Sequence, residues 1–186
     1  MQMNLLKTTA VLFLAVSAGA LFGAELNNWK FSSENDLKNV HLYVNKKNDA
    51  ELIKNFDPEM KPSDRYQGSC CLEVVKHGKI FSDLTAHFTT KHDIKKGKHY
   101  TISLMMRADR NLNIRLTVSK NYPNWASAFT YPCRLTAGRW QKVTFQFDPK
   151  FDLPGKHTSR APVILFGDVP TGTKLWIASA SLSDEE

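Results

Sequence analysis

What this sequence has little of narrows it first. It holds only three cysteines, Cys70, Cys71 and Cys133, and the odd count excludes a fold stapled throughout by disulfides. Cys70 and Cys71 are neighbours in an alternating run, so they point to opposite faces of a strand and do not bridge each other. Either can pair with Cys133 if the strands lie close; reduced thiols in a core are the simpler reading. The six histidines show no H-x-H or H-E-x-x-H spacing, so no metal site is expected. There is no G-x-S-x-G nucleophile elbow and no phosphate loop. Internal repeats and low-complexity linkers are absent, so nothing argues for a second domain.

Acidic side chains are also scarce, 18 against 25 Lys and Arg, for a formal charge of +7. A glycosidase needs two carboxylates flanking a sugar bond, and the alternating runs in the middle of the chain are almost free of Asp and Glu. Glu73 is the one acid placed mid-strand, and it reads as a solvent-facing charge. The excess of base is spread out. No five consecutive residues are all basic, and the densest cluster, Lys91 to His99, reads as a solvated turn. A nucleic-acid partner is not expected; acidic glycans or anionic surfaces are compatible with the charge.

What is present begins with a leader. Met1 to Ala24 has Lys7, an apolar run from Ala10 to Val16, and small residues at Ser17-Ala18-Gly19-Ala20, the layout of a secretory signal peptide. Cleavage after Ala20 fits the small-residue rule best, and Ala24 is the other site. The apolar part is too short and interrupted for a membrane span, so no integral membrane association is expected after cleavage. Residues 25–186 are then one domain's worth of chain, placed outside the cytoplasm, whether extracellular or periplasmic.

The body of the chain alternates apolar and polar residues at period two, the mark of half-buried strands. Tyr100, Ile102, Leu104 and Met106 share one face. Ile114, Leu116 and Val118 alternate with Asn113, Arg115, Thr117 and Ser119, and Val143, Phe145 and Phe147 alternate with Lys142, Thr144 and Gln146. Trp29 and Phe31, then Leu42 and Val44, mark entry strands. Ser69 to Lys76 and Asp83 to Phe88 are further strands, the latter with Leu84, Ala86 and Phe88 inward. Residues 51–56 suit a strand or a helical turn. Pro149 to Pro162 reads as a long loop, Lys174 to Leu182 as the last strand, and Asp184 to Glu186 as a solvated tail. Strands of this kind joined by Gly, Asn, Asp and Pro turns predict an all-β, antiparallel sandwich.

Three segments carry a family resemblance: Gly97 to Ser103 (GKHYTIS), Leu135 to Val143 (LTAGRWQKV), and Gly172 to Ile177 (GTKLWI) with the closing Ser181-Leu182. In this order they resemble carbohydrate-binding modules of families four and nine, galactose-binding-like jelly rolls often attached to glycoside hydrolases. The resemblance covers the second half of the chain well and the first half poorly. It implies a jelly-roll β-sandwich and a carbohydrate partner, and it puts Trp140 at a packing position in the core. The family's last strand often reads W-I-D-N-V-S-L, whereas this chain has Ala178 after Ile177; a structural calcium is therefore not predicted, nor is any other cofactor. The E-x-D-x-E of laminarinase-type jelly rolls and the Q-[IV]-H of alginate lyases are both absent.

A sugar presents hydroxyls at its rim and C–H patches on its faces, so its site needs amides, guanidinium groups and hydroxyls beside exposed aromatic rings. By strand parity Asn113, Arg115, Thr117, Thr144 and Gln146 face outward, and they are expected to share one sheet face with Tyr122 and Trp125 at its edge. Trp29, Trp176, Phe129 and Tyr131 are expected to pack. The reading is a secreted, non-catalytic carbohydrate-binding jelly roll. The alternative is a cell-surface structural or adhesion sandwich that binds protein, and third comes a small glycosidase or polysaccharide lyase. Expressed in a secreting bacterium, the protein should leave the cytoplasm with a new N-terminus at Leu21 or Glu25; an exported chain that still begins at Met1 overturns cleavage.

Overall fold

The computed structural model describes residues 24–120, 126–155 and 159–185. The leader up to residue 23 and the pair Tyr122 and Trp125 lie outside the described residues. Among the described residues eleven strands form two antiparallel sheets packed as a jelly-roll sandwich. One sheet contains β1 (Glu25–Lys30), β3 (Glu51–Asp57), β4 (Ser69–Lys76), β6 (His99–Ala108), β9 (Gln141–Phe147) and β11 (Lys174–Glu185). Its order is β3-β4-β11-β6-β9, and β1 also pairs with β11. The other contains β2 (His41–Val44), β5 (Leu84–Thr90), β7 (Leu112–Lys120), β8 (Ser127–Leu135) and β10 (Ser159–Leu165), in the order β2-β5-β10-β7-β8.

The period-two pattern explains which residues face the core. Along β6 the buried and half-exposed positions alternate without a break, with Tyr100, Ile102, Leu104 and Met106 inside. Leu84, Ala86 and Phe88 of β5 are fully buried, as are Leu116 and Val118 of β7. Aromatic rings join the two sheets at one edge. Tyr131 and Phe129 of β8 lie 5.1 and 5.8 Å from Phe145 of β9, both near-parallel. Trp29 meets Phe88 at 5.1 Å further along. Trp29 and Trp176 therefore pack as expected, and Trp176 Nε1 donates to Asp57 Oδ2 at 2.9 Å. Residues 51–57 are strand, not helical turn.

Three details depart from the pattern. Trp140 is not buried in the core. It precedes β9 on the turn made by Gly138, whose φ is +70°, and no ladder draws it into the layer. The loop after Pro149 ends earlier, because β10 starts at Ser159 and accommodates the cis Ala161–Pro162 bond where its register shifts between Arg160 and Val163. A bulge is where a sheet tolerates a residue without an N–H. The C-terminal acids are not a tail: Asp184 pairs with Tyr100 and Glu185 with His99 in the β11–β6 ladder. All three cysteines are free and buried, and burial raises their pKa, to about 12 for Cys70 and about 11 for Cys71 and Cys133. They are inert thiols.

Phe88→Ala should reduce stability by about 3–5 kcal/mol, as expected for a large ring lost from a closed core. Trp140→Ala should cost less than about 2 kcal/mol. Urea denaturation of the two variants checks the order, and a larger loss at Trp140 contradicts this placement.

Candidate functional site

Both sheets turn an apolar face inward, so polar chemistry has to sit on the outward faces. On the five-stranded sheet the registers line the outward residues up in rows across the strands. Tyr43, Thr85, Leu165, Arg115 and Pro132 form one row, and His41, His87, Val163, Thr117 and Thr130 the next. Thr89, Arg160, Ser119 and Ser127 form a third. The middle of these rows is shielded although it faces away from the core: Thr85, Thr117, Ser119, Val163 and Arg160 are all less than 8% exposed. An outward face that is buried at its centre and open at its margins is a trough.

A cleft of about 350 Å³ occupies it. Thr85, Thr117, Ser119, Arg160, Val163 and Leu165 line its floor; Tyr43, Asn45 and Ser82 stand on one side and Ala126 and Ser127 on the other. Among the described residues that line it there is no Asp or Glu. Tyr43 is 39% exposed and offers a ring face. Thr85 Oγ1 is shut from solvent and has no hydrogen-bond partner, whereas Thr117 Oγ1 donates to the Phe129 carbonyl at 2.6 Å. A buried hydroxyl without a partner carries a desolvation penalty that a bound polar group would relieve. Burial lowers the pKa of Arg160, and Tyr43 opposes the shift; a guanidinium remains charged. Arg115, beside the cleft in the Tyr43 row, stacks its guanidinium carbon 3.8 Å from the centre of the Phe81 ring.

The wall that holds Tyr43, Asn45 and Ser82 is tied down by one buried carboxylate. Asp83 Oδ1 and Oδ2 accept from Asn48 Nδ2 at 2.8 and 2.9 Å, and Oδ1 also accepts from Asn45 Nδ2 at 2.8 Å. Oδ2 accepts from the backbone N–H groups of Lys79 and Ile80 at 2.7 and 3.0 Å. Burial alone would raise its pKa, but these donors outweigh burial and hold it at about 2. Two glycines let the backbone close around it. A Cβ on Gly78 would fall 2.3 Å from Asp83 Cβ, and one on Gly167 would fall 2.0 Å from the Ile80 carbonyl oxygen.

The residues expected to share one face do not. Asn113, Arg115 and Thr117 stand on β7 in the five-stranded sheet, while Thr144 and Gln146 stand on β9 in the six-stranded sheet. Period two tells which face of a strand is outward, but not which sheet the strand joins, and the chain crosses between sheets after β8. Gln146 Nε2 donates to Glu185 Oε1 at 2.7 Å, and Thr144 Oγ1 is 2.9 Å from Ser103 Oγ, so both belong to a surface network on the opposite side of the sandwich. Asn113 accepts from Arg134 Nε at 3.1 Å, beyond the cleft. Among the described candidates only Thr117, with Arg115 beside it, is brought to the cleft. Tyr43, Thr85, Ser119 and Arg160 were missed. Tyr43 and Thr85 alternate with core residues and could have been found by parity, whereas Arg160 was hidden in what reads as a loop.

Neither a family model nor a curated protein sequence matches the chain. Solved structures do, among them carbohydrate-binding modules and enzymes that contain a domain of this shape. The N-terminal cellulose-binding domain of Cellulomonas fimi β-1,4-glucanase C superposes with a TM-score of 0.61 at 14% identity, covering 88% of this chain and 98% of that one. A CBM4 structure gives 0.57 at 19% identity, covering 78% and 86%. An arabinose-bound α-L-arabinofuranosidase gives 0.66 at 18% identity over 90% of this chain, but this chain spans only 27% of that enzyme. At these identities the likeness is one of fold.

Further along the same face His87 is buried, and its ring stacks on His41 at 5.4 Å. Burial, then Arg160 and His41, lower its pKa to about 3. His87 and Asp83 both take up protons more readily in the unfolded chain, so both make the fold weaken as pH falls. The share of His87 is lost between 6.5 and about 3, and that of Asp83 between 3.8 and about 2. The melting temperature should drop by about 5 °C or more from neutral pH to about pH 4, and His87→Gln should flatten that drop. Asp83→Asn should destabilise the fold at neutral pH by about 2–3 kcal/mol. Calorimetry across pH checks both; a His87→Gln profile parallel to wild type contradicts the assignment.

Proposed function

We propose that this protein binds carbohydrate, without turning it over, in the cleft on the outward face of its five-stranded sheet. The observation that carries the reading is the cleft's lining. It combines hydroxyls at Thr85, Thr117, Ser119 and Ser127 with a guanidinium and the exposed ring of Tyr43. Those are the groups that match a sugar's hydroxyl rim and C–H face. Glycoside hydrolysis requires a pair of carboxylates, and the described cleft residues supply none, which supports binding over catalysis. The neighbours in fold, named as cellulose-binding and CBM4 modules, support the same reading. The secretory leader expected at the N-terminus would take the protein to polysaccharide outside the cytoplasm.

A sugar ring laid on Tyr43 buries about 80 Å² of apolar surface, a contribution of about 2 kcal/mol before association costs. Tyr43→Ala should therefore weaken oligosaccharide binding about tenfold or more while leaving the melting temperature close to wild type. Arg115→Ala should weaken it as well, whereas Gln146→Ala, on the other sheet, should not. Isothermal titration against an oligosaccharide found on a glycan array measures all three. Unchanged affinity in Tyr43→Ala and Arg115→Ala, with folding intact, overturns the site.

A further inference from the structure

The outward rows of the five-stranded sheet contain no acidic residue from one edge to the other. Residues 121–125 and 156–158, outside the described residues, contain none in sequence. The chain has 18 acids to place, and the opposite face does carry them, with Glu73 against Lys174 and Glu185 against Gln146. The segregation is therefore a property of one face, not of a chain short of carboxylates. Base stands on this face without an acid in its rows, and Asp83, behind the wall, has its carboxylate engaged by Asn45, Asn48, Lys79 and Ile80. Arg160 lies on the cleft floor, Arg115 stands beside it, and Arg134 lies at the β8 edge.

The face also continues past the cleft. Thr85, His87 and Thr89 are successive outward residues of β5, about 7 Å apart by strand geometry. Thr85 belongs to the cleft, while His87 and Thr89 belong to a second hollow of about 700 Å³, flanked by His41, Lys38 and Lys91. Its described lining again has no Asp or Glu. His87 Nδ1 is buried there without a hydrogen-bond partner.

We propose that the ligand is an anionic polysaccharide, one bearing carboxylate or sulfate groups, lying across both hollows with its charged groups toward Arg160 and Arg115 at one end and Lys38 and Lys91 at the other. Guanidinium groups hold carboxylate and sulfate through paired N–H donors, and a trough whose described lining carries base and no acid favours an anionic ligand. A neutral glycan would use the hydroxyls and Tyr43, whereas an anionic one would also engage the cationic side chains of this face. This inference rests on the carbohydrate-binding reading above and narrows it to a class of glycan.

The test is titration of the protein with two matched pairs: hexagalacturonate against its methyl ester, and a sulfated carrageenan oligosaccharide against its desulfated form. Cellohexaose and polyglutamate serve as controls. One charged sugar should bind about tenfold or more tightly than its neutral counterpart, and the difference should shrink at high salt. Lys38→Ala combined with Lys91→Ala, both exposed positions, should remove most of that difference without changing the melting temperature. The pair that shows the difference identifies carboxylate or sulfate as the recognised group. Equal binding of charged and neutral partners overturns this inference and leaves the carbohydrate-binding reading standing. Polyglutamate bound as tightly as the charged sugar also overturns it, since charge alone would then suffice. Silence on every sugar, cellohexaose included, overturns both.

Discussion

Two sheets hold together in water only if the layer between them stays dry. Every strand here is arranged around that condition. Tyr100, Leu104 and Met106 from one sheet meet Phe88, Leu116 and Ile164 from the other, all of them essentially closed to solvent. Burial of this apolar surface is the main favourable term in folding. It also reserves one face of each strand for packing, so that any polar chemistry is pushed to the two outward faces. The cysteines show the same rule from the other side: caught in or beside the dry layer, they keep their protons.

An outward face becomes a site only when it is hollow. On the five-stranded sheet the margins stand above the middle, and the margin nearest β2 is held by Asp83. A carboxylate away from water is tolerated only if donors surround it, and four groups from two short 3-10 turns and their approaches supply them. That requirement fixes the chain between β2 and β5 at the height where Tyr43 and Ser82 overlook the trough. Gly78 and Gly167 permit the close backbone approach that the arrangement needs. A group with no part in the cleft's lining thus sets the shape of its wall.

The two outer faces have become chemically different. On the six-stranded sheet, Glu73, Glu185 and Asp57 are engaged with Lys174, Gln146 and Trp176, so charge and hydrogen-bonding capacity are spent within the surface itself. On the five-stranded sheet the floor hydroxyl of Thr85 has no partner, and Arg160 lines the cleft with no acid among the described lining residues.

The sequence by itself determined the strands and their faces. Side-chain direction alternates strictly along a strand, so Tyr100 to Met106 inward, Arg115 and Gln146 outward, and Leu84, Ala86 and Phe88 inward could all be read from spacing alone, and the sandwich followed. Local spacing carries no information about which strands pair, and that is what the tertiary structure decided. It sent β7 and β9 to different sheets and so separated Arg115 from Gln146. It left Trp140 outside the core, since a residue ahead of a strand is not bound by that strand's parity. It drew Asp184 and Glu185 into a ladder beside β6, where backbone pairing outweighed their polarity. It also brought Tyr43, Thr85, Thr117 and Arg160, far apart in the chain, to one cleft, because the hydrogen-bonded registers of β2, β5, β10 and β7 place them in neighbouring rows.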